Sequence, residues 1–139
     1  MLSILTIFLL ALTLNFIWEN IHSHLYDNYK GGRITQFILF RASLFDAVLI
    51  TAITFPFFYF KSISQYSWMI LIIGFVVAVV NEWYGLNTKR WKYKTSMPII
   101  PILNVGITPA IQLAILGCAS FYLYKNVTNV LTDFLLIQF

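Results

Sequence analysis

Acidic side chains stand at three places within or beside strongly apolar stretches of the chain. Glu19 and Glu82 each follow such a stretch, and Asp46 lies inside one. An ionisable group in a bilayer is costly, and it usually faces a bundle interior or a cavity. A carboxyl group withdrawn from water favours its neutral form, which suits a general acid, whereas a carboxylate suits a base. The sequence therefore predicts Asp46, Glu82 and Glu19 as catalytic residues.

Simpler interpretations of the same residues stay open. Glu19 and Glu82 each have a tryptophan neighbour and can lie solvated at the membrane interface. Asp46 can form an ion pair with Arg41 or Arg90, which lowers the cost of its burial. Polar side chains also join membrane helices through hydrogen bonds, without any chemistry.

Helical spacing gathers polar and small residues into stripes. At about 1.5 Å per residue, Asp46 lies about 12 Å and Asn104 about 8 Å below the surface from which their helices enter. We therefore expect the carboxyl groups to converge below one surface, with Asn104 and Thr108 nearby. The stripes are Asn15, Glu19 and His22; Ser43, Asp46 and Ala47; Gly74, Ala78 and Glu82; and Asn104, Thr108 and Gln112.

The segment 82–112 is dense in basic, aromatic and helix-breaking residues. Its alternating lysines, arginine and aromatic residues suit anionic headgroups or a phosphate-bearing ligand, and Arg90 can clamp such a group in bidentate fashion. Pro109, three residues after Gly106, predicts a kink or an opened turn that lines a cavity. An ordinary proline kink and charges that only set topology are the alternatives. The predicted ligand-binding residues are Arg90, Trp91, Tyr93, Asn104 and Gln112.

The Glu19-x-x-His22 spacing is one half of the carboxylate-bridged di-iron pattern. The second half is missing, because both histidines of the chain, His22 and His24, lie in this region. The single cysteine excludes an internal disulfide and a cysteine-based zinc site. We therefore expect no metal and no cofactor. A mononuclear metal site is the alternative, and its ligands would be Glu19, His22, Asp46 and Glu82.

Composition places the whole chain in a bilayer. Of its 139 residues, 60% are hydrophobic and 10% are charged, whereas a soluble domain has about 25% charged residues. This excludes a soluble enzyme and a disordered tail. Nine basic residues against five acidic ones are too few and too scattered for a nucleic-acid surface.

The elements that must position these residues are membrane-spanning helices, each needing about 20 mostly apolar residues. We expect a single transmembrane domain over 1–139, an all-α bundle of four helices. The last residues are too short a stretch to span and are expected to form an interfacial tail. The expected helices are 2–18, 38–60, 67–84 and 99–123, the loops are 20–37 and 85–98, and the tail is 125–139.

The basic residues predict the orientation of this bundle. Loops 20–37 and 85–98, with the flanking Arg41, hold seven Lys and Arg, whereas the other side holds only Lys61 and Lys125. By the positive-inside rule both loops are cytoplasmic and both termini lie outside, an Nout–Cout protein of the bacterial inner membrane.

A set of spaced residues covers most of the chain: Trp18-Glu19, Tyr26, Asp46, Glu82-Trp83-Tyr84, Arg90-Trp91-x-Tyr93, Met97-Pro98 and Gly106-x-x-Pro109-x-x-Gln112. This set resembles a group of small bacterial four-helix membrane proteins, a resemblance that implies the membrane location and the four helices but no activity. The chain is also faintly similar to the short membrane subunits of heterodimeric lycopene cyclases, which depend on intramembrane carboxylates, although it lacks their paired Pro-Glu-Glu motif.

Three functions fit these features. The first is a membrane-embedded enzyme that acts on a lipid or isoprenoid from the cytoplasmic leaflet, with Asp46 and Glu82 as acid and base. The second is a small carrier or channel element that works as a homo-oligomer. The third is an accessory subunit of a membrane complex, which offers Gly74 and Ala78 as a contact face. The polar groups cluster in one leaflet instead of crossing both, which favours the enzyme, with membrane lipids as its partners.

Overall fold

The computed structural model describes the chain from Leu2 to Ile137, with side chains described from Ser3 to Val130. Within this range, four helices are long and apolar enough to cross a membrane. The prediction of an all-α four-helix bundle is therefore confirmed. The helices are α1 (Leu2–His22), α2 (Gln36–Tyr59), α3 (Met69–Asn87) and α4 (Ile107–Ile137).

Local sequence signals account for the bounds of α2. Thr35 precedes the helix with an extended backbone, and its side-chain oxygen accepts a hydrogen bond from the amide of Ile38 at 3.4 Å. Such a cap satisfies one of the free amides of the first turn. Pro56 stands in the last turn, and Phe60 follows with an extended backbone. A short turn over 60–68 then leads to α3.

Two short pairs of antiparallel strands lie outside the helices in the described part of the chain. Strand β1 (Tyr26–Tyr29) follows α1 and pairs antiparallel with β2 (Trp91–Tyr93), which follows α3. Strands β3 (Ile99–Ile100) and β4 (Val105–Gly106) form a second antiparallel pair just before α4. The connections 23–35 and 88–106 are thus joined to one another at one end of the bundle. We call this the sheet end, and the opposite end, where residues 60–68 connect α2 to α3, the turn end.

The fourth helix differs most from its predicted bounds. It begins at Ile107 and not near Ile99, because Pro98 and Pro101 lack amide donors and Asn104 adopts a positive φ of 53°. Pro109 consequently stands in the first turn of α4, where the missing amide has no partner to lose. The predicted kink inside the span is therefore wrong. The backbone of α4 continues to Ile137, whereas the side chains of the predicted tail beyond Val130 lie outside the described residues.

The closest helix contact joins α3 to α4 at Gly74. A Cβ added there would stand 2.7 Å from the Cα of Ala114, so only glycine permits this approach. Ala78, one turn further along α3, is buried in the same core as Leu113. Gly74 and Ala78 therefore pack inside the bundle and do not form the exposed contact face that was expected.

Candidate functional site

Gln112 joins polar side chains from three helices at the sheet end. Its side-chain amide donates to Asn15 Oδ1, Glu19 Oε1 and Asp46 Oδ2, and all three distances are 2.9 Å. Asn15 is fully buried, and Asp46 and Gln112 are nearly so. Asn15 in turn donates to the carbonyl of Ala11 at 2.8 Å, which fixes its amide with the oxygen towards Gln112. The α1 stripe of Asn15 and Glu19 thus meets α2 and α4 through one amide.

The two carboxyl groups of this cluster form a pair. Glu19 and Asp46 are close enough to hydrogen-bond one another, and a carboxylate by itself has no proton to donate. A contact between them would need a proton on one of the two groups. Both groups accept from the single amide nitrogen of Gln112. Glu19 and Asp46 together form a pair of carboxyl groups held by one amide.

His22 lies on the outer side of this pair. Its Nε2 is 3.7 Å from Glu19 Oε2, and its ring is 5.4 Å from that of Tyr26, measured between centroids. The ring is buried, and Nδ1 has no hydrogen-bond partner. Because α1 continues to His22, the predicted stripe of Asn15, Glu19 and His22 does share one helix face.

Glu82 has a different environment, made of aromatic donors. Tyr26 donates to Oε1 at 3.3 Å, whereas Trp91 donates at 3.1 Å to Oε2, which also accepts from Tyr93. The Tyr93 hydroxyl accepts in its turn from the amide of Gly106 at 3.0 Å. Three donors that point at one carboxyl group form the pattern expected around a carboxylate.

Burial and the nearby Glu82 charge act on the two tyrosines as well. Loss of hydration raises the pKa of Tyr26 well above its ordinary value, and repulsion from Glu82 adds to it. The same causes raise the pKa of Tyr93. Both hydroxyls therefore keep their protons and remain donors to Glu82 at any physiological pH.

The pairing of β1 with β2 explains how these distant residues reach Glu82. Tyr26 pairs directly with Tyr93 in the strand register, and their rings lie 5.4 Å apart. The ring of Trp91 packs directly over Gly85, in the space that a Cβ would take. Glu82 stands one turn before Gly85 on α3, so the missing side chain lets the indole reach its carboxylate.

Both carboxyl sites face one cavity of about 330 Å³. Glu19, Asp46 and Gln112 line it on one side, and Glu82, Tyr26 and Trp91 on another. Its volume lies at the lower end of the range of small-molecule sites, roughly 300–1,000 Å³. Apolar side chains complete the wall, namely Ile34, Ile38, Leu39, Ala42, Phe45, Ala78, Pro109 and Leu113.

Arg41 and Arg90 also line this cavity. Arg90 donates to the Tyr84 hydroxyl at 2.9 Å and lies 4.8 Å from the centre of its ring. Arg41 lies 5.9 Å from the centre of the Phe37 ring. Among the described side chains, the acid–base contact within ion-pair distance is His22–Glu19. The interpretation that Asp46 pairs with Arg41 or Arg90 is therefore wrong.

The predicted site residues separate into two groups. The structure brings Glu19, Asp46, Glu82, Arg90, Trp91 and Gln112 to the cavity wall, and Tyr93 contacts Glu82 from behind. Asn104 does not join them, because it lies exposed in the turn between β3 and β4. Its expected depth of about 8 Å assumed a helix that starts near Ile99. Thr108 is also apart and donates to Met97 Sδ at 3.6 Å.

The alternative metal site gains no support from the geometry. Within the residues that the structure describes, no three His, Cys, Asp or Glu side chains are placed to hold a metal ion. Glu19 and Asp46 already bond to Gln112, and Glu82 is surrounded by donors. The three carboxyl groups are thus engaged by hydrogen bonds.

Sequence reasoning missed Tyr26, Arg41 and Asn81 as cavity residues. Tyr26 stands in a loop between helices, and its role follows from strand pairing across more than 60 residues, which no local spacing reveals. Arg41 had a signal, because it precedes Asp46 by little more than one helical turn on α2. Asn81, beside Glu82 on α3, had none besides its polarity.

The chain matches no family model, no curated protein and no solved structure.

Proposed function

We propose that the protein is a membrane-embedded acid–base enzyme that acts on a lipid or isoprenoid. One observation carries the proposal: two carboxyl sites with opposite hydrogen-bond surroundings face the same cavity. The Glu19–Asp46 pair shares the Gln112 amide and is the proposed proton source, whereas Glu82 receives three donors and is the proposed base. A pair of titratable groups with such different environments is typical of an acid and its complementary base.

The chemistry that suits this pair is proton transfer at a carbon–carbon double bond. The acid pair gives one proton to the double bond, which leaves a cation on the neighbouring carbon. Glu82 then removes a proton from an adjacent carbon, so a new double bond forms and no electrons are gained or lost overall. Tyr26 and Trp91 present aromatic rings to the cavity, and such rings stabilise a passing cation.

The proposed setting is a bacterial inner membrane, with both termini outside and the sheet end at the cytoplasmic surface. The excess of basic residues at this end supports that orientation. A substrate would enter from the cytoplasmic leaflet, since the polar groups of the cavity lie at the same end as β1 and β2. Membrane lipids are then both the surroundings and the source of substrate.

Untargeted mass spectrometry of lipid extracts tests this function. A bacterial host that makes isoprenoids would express the wild type, Asp46→Asn, Glu82→Gln or Asp27→Asn, in medium containing D₂O. Asp27 is an exposed acid that bonds to Asn28 and does not line the cavity, so its variant is the matched control. We expect a lipid or isoprenoid that accumulates only with the wild type and Asp27→Asn and carries more deuterium at carbon than the precursor that accumulates with the other two variants.

The variants must also be folded for the result to count. Each keeps the size of its side chain, and their yield in the membrane and their elution in detergent check insertion. Identical lipid profiles for the wild type, Asp46→Asn and Glu82→Gln would overturn the proposal. A wild-type product with no more deuterium at carbon than its precursor would overturn the proton-transfer step.

A further inference from the structure

The cavity carries two cations whose charges have no partner within the described structure. Arg41 is exposed and lines the cavity, so it stands at the opening. Arg90 lines the same cavity and contacts Tyr84, a neutral side chain. The remaining acid with a described side chain, Asp27, bonds to Asn28 instead. Two arginines thus face an opening without a carboxylate to balance either of them.

Another part of the cavity wall is of opposite character. Ile38, Leu39, Ala42 and Phe45 present apolar groups from α2, the helix that carries Arg41. Phe45 and Phe37 are also largely exposed on the outer face of α2, which continues this apolar surface towards the bilayer. A ligand that fits has an anionic end at the arginines and an apolar body along α2.

Arginine is also the side chain best suited to such an anionic end. Its planar guanidinium forms paired hydrogen bonds with the oxygens of phosphate or carboxylate. The Arg90 backbone is fixed on both sides, since its amide donates to Gly85 at 2.8 Å and its carbonyl accepts from Lys30 at 2.6 Å. Its guanidinium lies over the Tyr84 ring, and this contact fixes the position of the side chain.

We propose that the cavity binds a single-chain amphiphile with an oxyanion headgroup, which Arg41 and Arg90 hold while the apolar chain lies against α2. This inference rests on the proposed function only where it takes the bound amphiphile to be the substrate of that reaction. The headgroup at the opening would anchor the molecule, and the chain would extend past Asp46 and Glu82. The inference also stands alone as a binding site, whatever the carboxyl groups do.

Native mass spectrometry of the protein in a neutral detergent tests the site, with dodecyl phosphate as the probe. We expect one bound molecule for the wild type and about tenfold weaker binding for Arg41→Gln and for Arg90→Gln, which corresponds to about 1.4 kcal/mol each. Arg33→Gln is the matched control, because Arg33 is an exposed arginine at the sheet end, between β1 and α2, that does not line the cavity. Its affinity should equal that of the wild type.

Further probes separate the sources of affinity. Dodecyltrimethylammonium has the same chain with a cation, and we expect it not to bind. Inorganic phosphate should fail to displace dodecyl phosphate at equal concentration, because it lacks the chain. Displacement by inorganic phosphate would overturn the amphiphile and leave a soluble anion as ligand. Equal weakening by Arg33→Gln would overturn the site, because surface charge alone would then explain binding.

Lysine variants cover the case of a misfolded glutamine variant. Arg41→Lys and Arg90→Lys keep the charge but cannot form the paired hydrogen bonds of a guanidinium. We therefore expect affinities for dodecyl phosphate between those of the wild type and the glutamine variants. Unchanged affinity in folded variants lacking both arginines would overturn the inference. Binding of dodecyl phosphate by an enzyme whose lipid profile never changes would support this site and overturn the proposed function.

Discussion

The two ends of the bundle use polar side chains in different ways. At the sheet end, Gln112 bonds across α4, α1 and α2 through Asn15, Glu19 and Asp46. At the turn end, the core is apolar and consists of Phe57, Ile70 and Phe121. There Thr54 donates to the carbonyl of Ile50 in its own helix at 2.8 Å.

The difference between the two ends distinguishes apolar helix packing from the polar contacts around the cavity. The turn end packs mainly through apolar side chains and the close approach at Gly117, beside one hydrogen bond between Ser67 and Tyr122. Interhelical hydrogen bonds in membranes contribute little on average, about 0.6 kcal/mol. The turn end therefore packs with few polar contacts between helices, whereas the sheet end places three carboxyl groups among hydrogen-bond donors.

The largest expected effect comes from carrying the polarity of one end into the other. Ile70→Asn would bury an amide in the apolar cluster formed with Phe57 and Phe121. We expect a loss of about 3 kcal/mol, from the unmet hydrogen bonds and the lost apolar contact. Unfolding with sodium dodecyl sulfate in mixed micelles, followed by circular dichroism, measures it. The control, Ile70→Val, should lose about 1 kcal/mol, and equal losses would contradict the prediction.

The reverse change removes the central amide of the sheet end. Gln112→Leu would leave Asn15, Glu19 and Asp46 without their shared donor, and we expect it to lower the free energy of unfolding by about 2 kcal/mol. Thr54→Val is the comparison at the turn end, where the hydroxyl bonds only to its own helix backbone. Its loss should stay below about 0.5 kcal/mol. The same unfolding assay would contradict the contrast if Thr54→Val were the more damaging change.

Two glycines allow the ends to be compared by adding one methyl group. In Gly85→Ala the new Cβ would occupy the place of the Trp91 ring and push the indole from Glu82. We expect a loss of about 1–2 kcal/mol, together with a shift in tryptophan fluorescence. In Gly117→Ala the Cβ would lie 3.2 Å from Ile70 Cγ2, which is the end of a side chain. Gly117→Ala should change the free energy of unfolding less than Gly85→Ala does. A fluorescence shift as large as that of Gly85→Ala would contradict the contact between Gly85 and Trp91.

The smallest effect concerns pH and the tyrosine donors of the sheet end. The pKa of Tyr26 and of Tyr93 is raised by folding, mainly through burial. Each therefore binds its proton more tightly in the folded state, so its contribution is complete below pH 10 and declines as the pH rises above it. From pH 10 to pH 11 the decline is about 1 kcal/mol for each tyrosine. Unfolding curves at pH 10 and pH 11 should show this decline in the free energy of unfolding for the wild type. The double variant with Tyr26→Phe and Tyr93→Phe should show a smaller decline. An equal decline in both proteins would contradict the raised pKa.

Much of the fold could be predicted because its signals are local. Four apolar runs of about the length of a bilayer require four helices, whatever their neighbours are. The start of α4 was the exception, since Pro101 and Asn104 stand in an apolar run yet form a turn with paired strands. Apolar character alone does not distinguish a short hairpin from the start of a helix, so the prediction of helix over residues 99–106 is wrong.

The sequence by itself determined the four helices of membrane-spanning length and the positions of the acids along them, because length, hydropathy and position along a helix are properties of consecutive residues. Only the tertiary structure decided that Glu19 pairs with Asp46 while Glu82 faces Tyr26, Trp91 and Tyr93. Gln112 is 93 residues from Glu19 and 66 from Asp46. Contacts across such separations depend on how each helix is rotated and how closely glycines such as Gly74 let helices approach. Those quantities arise from the packing of the whole bundle and not from any one segment.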